Sequence, residues 1–313
     1  MENLYKKYLI EPEDFIKIIS KPKEELKSIR IIEGTNFPPL SPRKKLEEFK
    51  IKRIPYSQFF DMDVIAEVPH LVPHMMPSNQ VFIEHMKKLD IRKSDQIIIY
   101  DRSGMFSAPR VWLTFYWFGH RNIRILNGSM IEYEKLGGKM EEGDNYGYKD
   151  IIREKATEDD YNYIKDESKF VDLEFIIKNS FNENLSKKYY FIDARSEDRF
   201  NGIVDEPRKG IRRGHINGSK CLFFQWCIND NYRYKNIDEL KILFKEKGID
   251  IDNDNDITYI CSCGTGLTAC IVIFALTLLG KIEKCKLYDA SWTEYGSQTP
   301  EQIENLKKNC VRF

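Results

Sequence analysis

No charge of either sign dominates this chain: 49 Lys and Arg are matched by 49 Asp and Glu over 313 residues. A neutral surface raises no long-range field to recruit nucleic acid, so direct nucleic-acid binding is not expected. The seven cysteines, at 221, 227, 261, 263, 270, 285 and 310, include no Cys-x-x-Cys pair and no Cys/His ligand spacing, which argues against a structural metal. An odd set without such pairing reads as reduced thiols and places the chain in the cytosol in preference to the mitochondrion. Long apolar runs are missing as well. The apolar run at 270–279 is too short to cross a membrane, so no membrane contact is expected. At the start, Met1-Glu2-Asn3-Leu4-Tyr5-Lys6-Lys7 has neither the apolar core of a signal peptide nor the Arg/Ser bias of a transit peptide, and no leader is expected.

One heptapeptide carries chemistry. Cys263-Gly264-Thr265-Gly266-Leu267-Thr268-Ala269 sits between the β-type run Ile257-Thr258-Tyr259-Ile260 and the apolar helical stretch at 270–279. A cysteine on a glycine-rich turn from strand to helix faces loop amides and a helix N-terminus, which favours its thiolate. A cysteine-dependent enzyme is expected. A cysteine phosphatase would need an arginine at the sixth position after the nucleophile to clamp phosphate, and Ala269 stands there. A small uncharged loop instead leaves room for sulfur attached to Cys263 and held by backbone N–H groups. Sulfur transfer follows as the expected chemistry.

The length allows two domains, and the chain repeats itself. Setting Asp95 against Asp256 pairs Asp95-Gln96-Ile97-Ile98-Ile99-Tyr100 with Asp256-Ile257-Thr258-Tyr259-Ile260-Cys261, and Gly119 with Gly280. A slip of one residue matches Ser129, Glu132 and Tyr133 with Ser291, Glu294 and Tyr295, and Ile54 and Ser57 with Ile216 and Ser219. In this alignment Cys263 falls opposite Arg102, so the first copy has no sulfur nucleophile, and Arg102 and Arg110 are expected to form ion pairs within it. Strands alternate with helices in each copy, as at 189–193, 237–244 and the Ile257 strand with its helix. That alternation predicts an α/β fold, each copy a parallel sheet flanked by helices on both faces, with reactive groups at the carboxyl ends of strands. The expected division is a first domain over 1–150, a polar connector over 151–168 and a catalytic domain over 169–313. Residues 43–52 read as a charged, solvated helix face or loop.

The loop Cys263-Gly264-Thr265-Gly266-Leu267-Thr268 resembles the active-site loop of the tandem rhodanese proteins, most closely the 3-mercaptopyruvate sulfurtransferases, whose loop reads Cys-Gly-Ser-Gly-Val-Thr. Thr265 and Leu267 are the departures. Rhodaneses that prefer thiosulfate carry Arg and Lys after the cysteine, where this chain has Gly264 and Thr265. The likeness spans about residues 31–295 and implies two rhodanese-like domains, the first without a catalytic cysteine. It also implies an enzyme that moves sulfur from 3-mercaptopyruvate through a Cys263 persulfide to a thiol or cyanide, releasing pyruvate, with no cofactor. Thioredoxin or a low-molecular-weight thiol is the implied acceptor.

Further residues follow from the same resemblance. Asp193-Ala194-Arg195 with Arg199-Phe200 and Glu206-Pro207-Arg208 resembles the family's D-x-R…GRF…EPR segment, which makes Arg199 and Arg208 the substrate-carboxylate residues. Guanidinium groups suit that task through paired hydrogen bonds. Arg195 reads as structural, and Asp198 stands where the family often has Gly. Gly264, Gly266, Leu267 and Thr268 would surround the bound sulfur. Asp63, His74 and Thr265 match an Asp, His and Ser set that handles protons across the domain interface, with His70 as a near neighbour of His74. His215, in Gly214-His215-Ile216-Asn217-Gly218, is expected to hold a turn. Cys270 is expected in the core, a Cys261–Cys263 disulfide would be strained, and Trp292 either walls the pocket or packs the core. Arg53-Ile54-Pro55-Tyr56 departs from the family's His-Ile-Pro-Gly. Two other readings use the same cysteine: a thiosulfate sulfurtransferase, and a persulfide carrier in a relay such as tRNA thiolation. A pure carrier would not need Arg199 and Arg208.

Overall fold

The computed structural model describes residues 3–67, 72–144, 146–147, 151–181, 188–253 and 256–310. The chain divides into two units, Met1–Glu67 with Met76–Asp166 and Ile228–Tyr234, and Val68–Met75 with Glu167–Cys227 and Lys235–Phe313. Each half of the sequence thus lends a short segment to the unit built by the other half.

In the first unit the strands are β1 (Leu9–Ile10), β2 (Ile29–Glu33), β3 (Ser57–Phe59), β4 (Gln96–Tyr100) and β5 (Ile123–Leu126), in the order β1-β5-β4-β2-β3 and parallel throughout. The second unit has β6 (Phe170–Val171), β7 (Tyr189–Asp193), β8 (Lys220–Cys221), β9 (Thr258–Ser262) and β10 (Cys285–Tyr288), ordered β6-β10-β9-β7-β8 and again all parallel. Taken in chain order the two topologies are identical, the structural form of the sequence repeat. Helices flank both sheets. The helices that follow β4 and β9, Ala108–Trp117 and Ala269–Leu278, are buried at every residue; the second is apolar but for Thr277, whose hydroxyl donates back to the Ile273 carbonyl, and the first also buries Arg110 and Thr114. Capping fixes where others begin: Ser78 accepts from the Val81 N–H, and Asn236 and Glu239 form a capping box at the start of Ile237–Glu246. Among the described residues no helix is long and apolar enough to cross a membrane.

Three features differ from the sequence expectations. The first is register. Glu33 pairs with Tyr100 and Asp193 with Ser262, so the residue after the central strand is Asp101 in one unit and Cys263 in the other. The same conclusion follows from Met130 N–H donating to the Asp101 carbonyl (2.9 Å) where Trp292 N–H donates to the Cys263 carbonyl (3.0 Å). Asp101, not Arg102, is therefore the counterpart of Cys263. The loop leading to the helix is one residue longer in the first unit, and an ungapped alignment across it is off by one.

The second is the 151–168 stretch, which lies along the first unit through residue 166. Ile151 joins that core, Tyr161 and Tyr163 are buried, and Arg153 grips Asp95 at 2.6 Å. Its charge-rich composition hides three large apolar bodies. The third is Tyr56, which takes a left-handed backbone (φ 63°) at the place where the resembling turn has Gly. Residues 43–52 contribute the helix Lys45–Ile51, with Phe49 turned into the core. Arg102 forms its ion pair within the first unit, donating to both oxygens of the fully buried Glu33 at 2.6 and 2.7 Å.

Candidate active site

Strand β9 ends at Ser262, and the next six residues turn into the buried helix. Cys263, 2% exposed, opens this turn. The turn is braced by the segment after β10. Ser291 Oγ accepts from the N–H groups of Cys263 (3.0 Å) and Gly266 (3.1 Å) while donating to the Tyr288 carbonyl (2.7 Å). Thr293 donates to the Gly264 carbonyl through its N–H (3.0 Å) and its hydroxyl (2.7 Å). From the helix side, Cys270 Sγ donates to the Gly266 carbonyl at 3.2 Å. Gly266 has φ +76°, a conformation that disfavours any side chain. What remains are the N–H groups of Gly264, Thr265, Leu267 and Thr268, which donate to no acceptor among the described residues. Unfilled backbone donors within one tight turn are what an anion-binding loop offers.

The first unit holds a filled version of this cradle. The Asp101 carboxylate, at the counterpart of Cys263, accepts from the N–H groups of Ser103 (3.0 Å), Met105 (3.0 Å), Ser107 (2.8 Å) and Ala108 (2.9 Å). One chain therefore contains the same loop twice, once gathered around its own carboxylate and once with its amides open beside a thiol. The bracing differs accordingly. Ser129, the counterpart of Ser291 with a similar left-handed φ (60° against 54°), accepts from the Ile131 N–H and makes no bond to the loop. Where Asp101 organises its own loop, Ser291 does that work for Cys263. Ser291→Ala is expected to slow turnover about tenfold or more, because two buried amides lose their acceptor and the cradle loosens. Ser129→Ala, a matched change in the other unit, is expected to leave turnover alone; steady-state kinetics on both variants decides the matter.

Positive charge meets the loop from the segment after β7. The short helix Glu197–Phe200 carries Arg199, whose Nη2 would lie 3.1 Å from a Cβ placed on Gly264. Glu206 holds that guanidinium through Nε (3.2 Å) and Nη2 (2.5 Å) and is shared with Nη1 of Arg195 (2.8 Å). Arg195 is itself locked onto Asp193 (2.6 Å) and stacked on Trp292, 4.6 Å from the ring centroid, which confirms its structural reading and puts Trp292 in the core. Arg208 is half-buried and makes no hydrogen bond or ion pair among the described residues. Burial pulls its guanidinium pKa down, Cys263 opposes that, Arg199 adds to it, and Glu206 opposes it again. Cys263, Arg199 and Glu206 are thus the titratable neighbours of Arg208.

Other expected residues are distributed between the units. His74 belongs to the unit of Cys263, where its neighbours Val72 and Met75 pack with Tyr288 and Trp292, and its backbone is left-handed at φ 62°. Asp63 belongs to the other unit and is paired with Lys45. Neither unit alone holds the Asp63, His74 and Thr265 set. Thr265 is buried and Leu267 likewise, while Thr268 is half-buried. His70 lies outside the described residues. His215 stacks on Phe200 (3.9 Å between centroids) with Nδ1 2.9 Å from the Phe200 carbonyl, a turn-holding position. Burial pushes Cys221 and Cys227 up to about 12 and Cys261 well above the ordinary thiol range, so these thiols stay protonated at neutral pH. Sequence reading missed Glu206, visible only as the first letter of the EPR triplet, and the loop brace Ser291, visible only as a repeat match to Ser129.

Comparison with known proteins places this geometry. The rhodanese-like domain family matches residues 42–136 and 178–298. Thiosulfate/3-mercaptopyruvate sulfurtransferase 1, mitochondrial, of Arabidopsis thaliana is 34% identical over 290 residues, covering 90% of this chain and 75% of its own. The 3-mercaptopyruvate sulfurtransferase of Escherichia coli strain K12 is 31% identical over 265 residues, covering 85% and 88% respectively. The crystal structure of the Tum1 protein from Saccharomyces cerevisiae superimposes with a TM-score of 0.78 at 29% identity, covering 95% of this chain and 97% of that one.

Proposed function

This chain belongs to the rhodanese family, and from that premise we propose that it is a sulfurtransferase whose second unit carries sulfur on Cys263 from 3-mercaptopyruvate to a thiol acceptor. The first unit, with Asp101 in place of the cysteine, is non-catalytic. The reading rests above all on the loop amides after Cys263 that have no acceptor among the described residues, with Arg208, which has no ion pair among them either, as an electrostatic neighbour of Cys263.

The reaction runs in two displacements. Arg199 and Arg208 hold the substrate carboxylate, and the Cys263 thiolate attacks the substrate sulfur. The electrons of the carbon–sulfur bond leave with carbon as the enolate of pyruvate, which takes a proton by way of His74, Thr265 or water. The sulfur stays as a Cys263 persulfide among the N–H groups of Gly264, Thr265, Leu267 and Thr268. An acceptor thiolate then attacks the outer sulfur and regenerates Cys263. Thioredoxin and small thiols fit this second step, and cyanide would serve in an assay. No step calls for a metal or organic cofactor.

The name of the Arabidopsis relative also contains thiosulfate, so the two donors belong in one experiment. With mercaptopyruvate the protein is expected to release pyruvate in step with sulfur transferred to thiol, and to use thiosulfate less efficiently, since Gly264 and Thr265 offer a dianion no extra cation. Sulfur uptake from a persulfide-bearing partner without any pyruvate formation would instead establish the carrier reading.

A further inference from the structure

The charges around the donor site can be counted. Asp193 and Arg195 are each about 1% exposed and locked together. Glu206, its side chain 4% exposed, is shared by Arg195 and Arg199, and Arg208 faces it without a direct bond. Three guanidinium groups thus meet two carboxylates, leaving one positive charge in excess. On the surface beside them Arg213 and Asp205 pair with each other at 2.8 Å and cancel. Arg212 is turned onto Trp292 and Tyr295, and Lys209 is exposed to water, where its field is screened. With the Cys263 thiolate counted the site is close to neutral, so each negative charge a donor brings is added beside an almost wholly buried thiolate, and a dianion brings twice what a monoanion does.

We infer that Glu206 is a donor-specificity residue: by neutralising one of the guanidinium groups at the site it matches the enzyme to a monoanionic sulfur donor and against a dianionic one. Mercaptopyruvate carries one carboxylate and a thiol that is protonated near neutral pH, whereas thiosulfate carries two charges. In the first case the thiolate takes sulfur from a carbon, and an enolate leaves. In the second it takes the outer sulfur of thiosulfate, the sulfur–sulfur bond breaks toward sulfite, and the site must hold two negative charges beside the thiolate throughout. This role is additional to the positioning of Arg199, which Glu206 performs by hydrogen bonding.

The inference rests on the sulfurtransferase reading, and Glu206→Gln separates the two. Glutamine keeps the shape and one acceptor oxygen and removes the charge, adding one unit of net positive charge at the site. The ratio of kcat/KM for thiosulfate to that for mercaptopyruvate is expected to rise roughly tenfold or more, as a unit charge at close range in a partly buried site should give. Glu206→Asp, which keeps the charge, should hold the wild-type ratio even if both efficiencies fall. An unchanged ratio in Glu206→Gln, or equal shifts in the Gln and Asp variants, would reduce Glu206 to a purely geometric role. A second measurement needs no variant: pyruvate should inhibit persulfide formation by the wild-type protein at lower concentration than sulfate, and the reverse order would overturn the inference. If wild-type protein formed no persulfide with either donor, the sulfurtransferase reading itself would have failed.

Discussion

Cys263→Ser should abolish turnover, lowering kcat with mercaptopyruvate by on the order of 10⁴-fold or more while the protein remains folded. Serine keeps the shape of the side chain at slightly smaller size, and the contacts that organise the turn run through the Cys263 backbone to Ser291 and Trp292, so the turn survives the change. What is lost is the sulfur. A hydroxyl at neutral pH supplies almost no anion and forms no persulfide, and Cys221, Cys227 and Cys261 cannot take over, since burial holds them protonated. Pyruvate release assays with circular dichroism on the same sample check both halves of the expectation. Residual turnover near the wild-type rate would move the nucleophile elsewhere.

Arg208→Ala should be the next most damaging change to activity, and it should be nearly silent for stability. Loss of a charge-assisted contact to a carboxylate costs about 1.5–3 kcal/mol, or roughly ten- to 150-fold in kcat/KM, most of it in the apparent constant for the donor. Because Arg208 makes no ion pair among the described residues, its removal strands no buried carboxylate, and thermal unfolding should hardly move. Arg199→Ala differs in kind. It leaves Glu206 with Arg195 alone, so a similar kinetic defect should come with some loss of stability. Arg208→Lys should recover only part of the lost efficiency, as a point charge replaces a planar fork. Kinetics indistinguishable from wild type in both alanine variants would return these arginines to the surface.

Much of this was legible from residues because the signals were local. An apolar β-type run, a short loop and a largely apolar helix read as a central strand, its carboxyl-end loop and a covered helix, and both units are built this way. Spacing alone located Cys263 at that end. What escaped was set by contacts between distant positions. The counterpart of Cys263 was read as Arg102 because one extra loop residue is invisible without the paired strands, and so the carboxylate-filled cradle of Asp101 went unseen. The stretch at 151–166 reads as polar until Ile151, Tyr161 and Tyr163 are found packed. Nothing in composition announces that residues 72–75 count with the unit of Cys263, bringing His74 with them, or that Glu206 serves two arginines at once.

The most direct measurement is the mass of the protein after exposure to 3-mercaptopyruvate without an acceptor, followed by peptide mapping under non-reducing conditions. The expected result is the gain of one sulfur atom, confined to the peptide containing Cys263 and removed by thiol or cyanide. No gain in mass, or sulfur found on a different cysteine, would contradict the assignment of Cys263 as the residue that carries it.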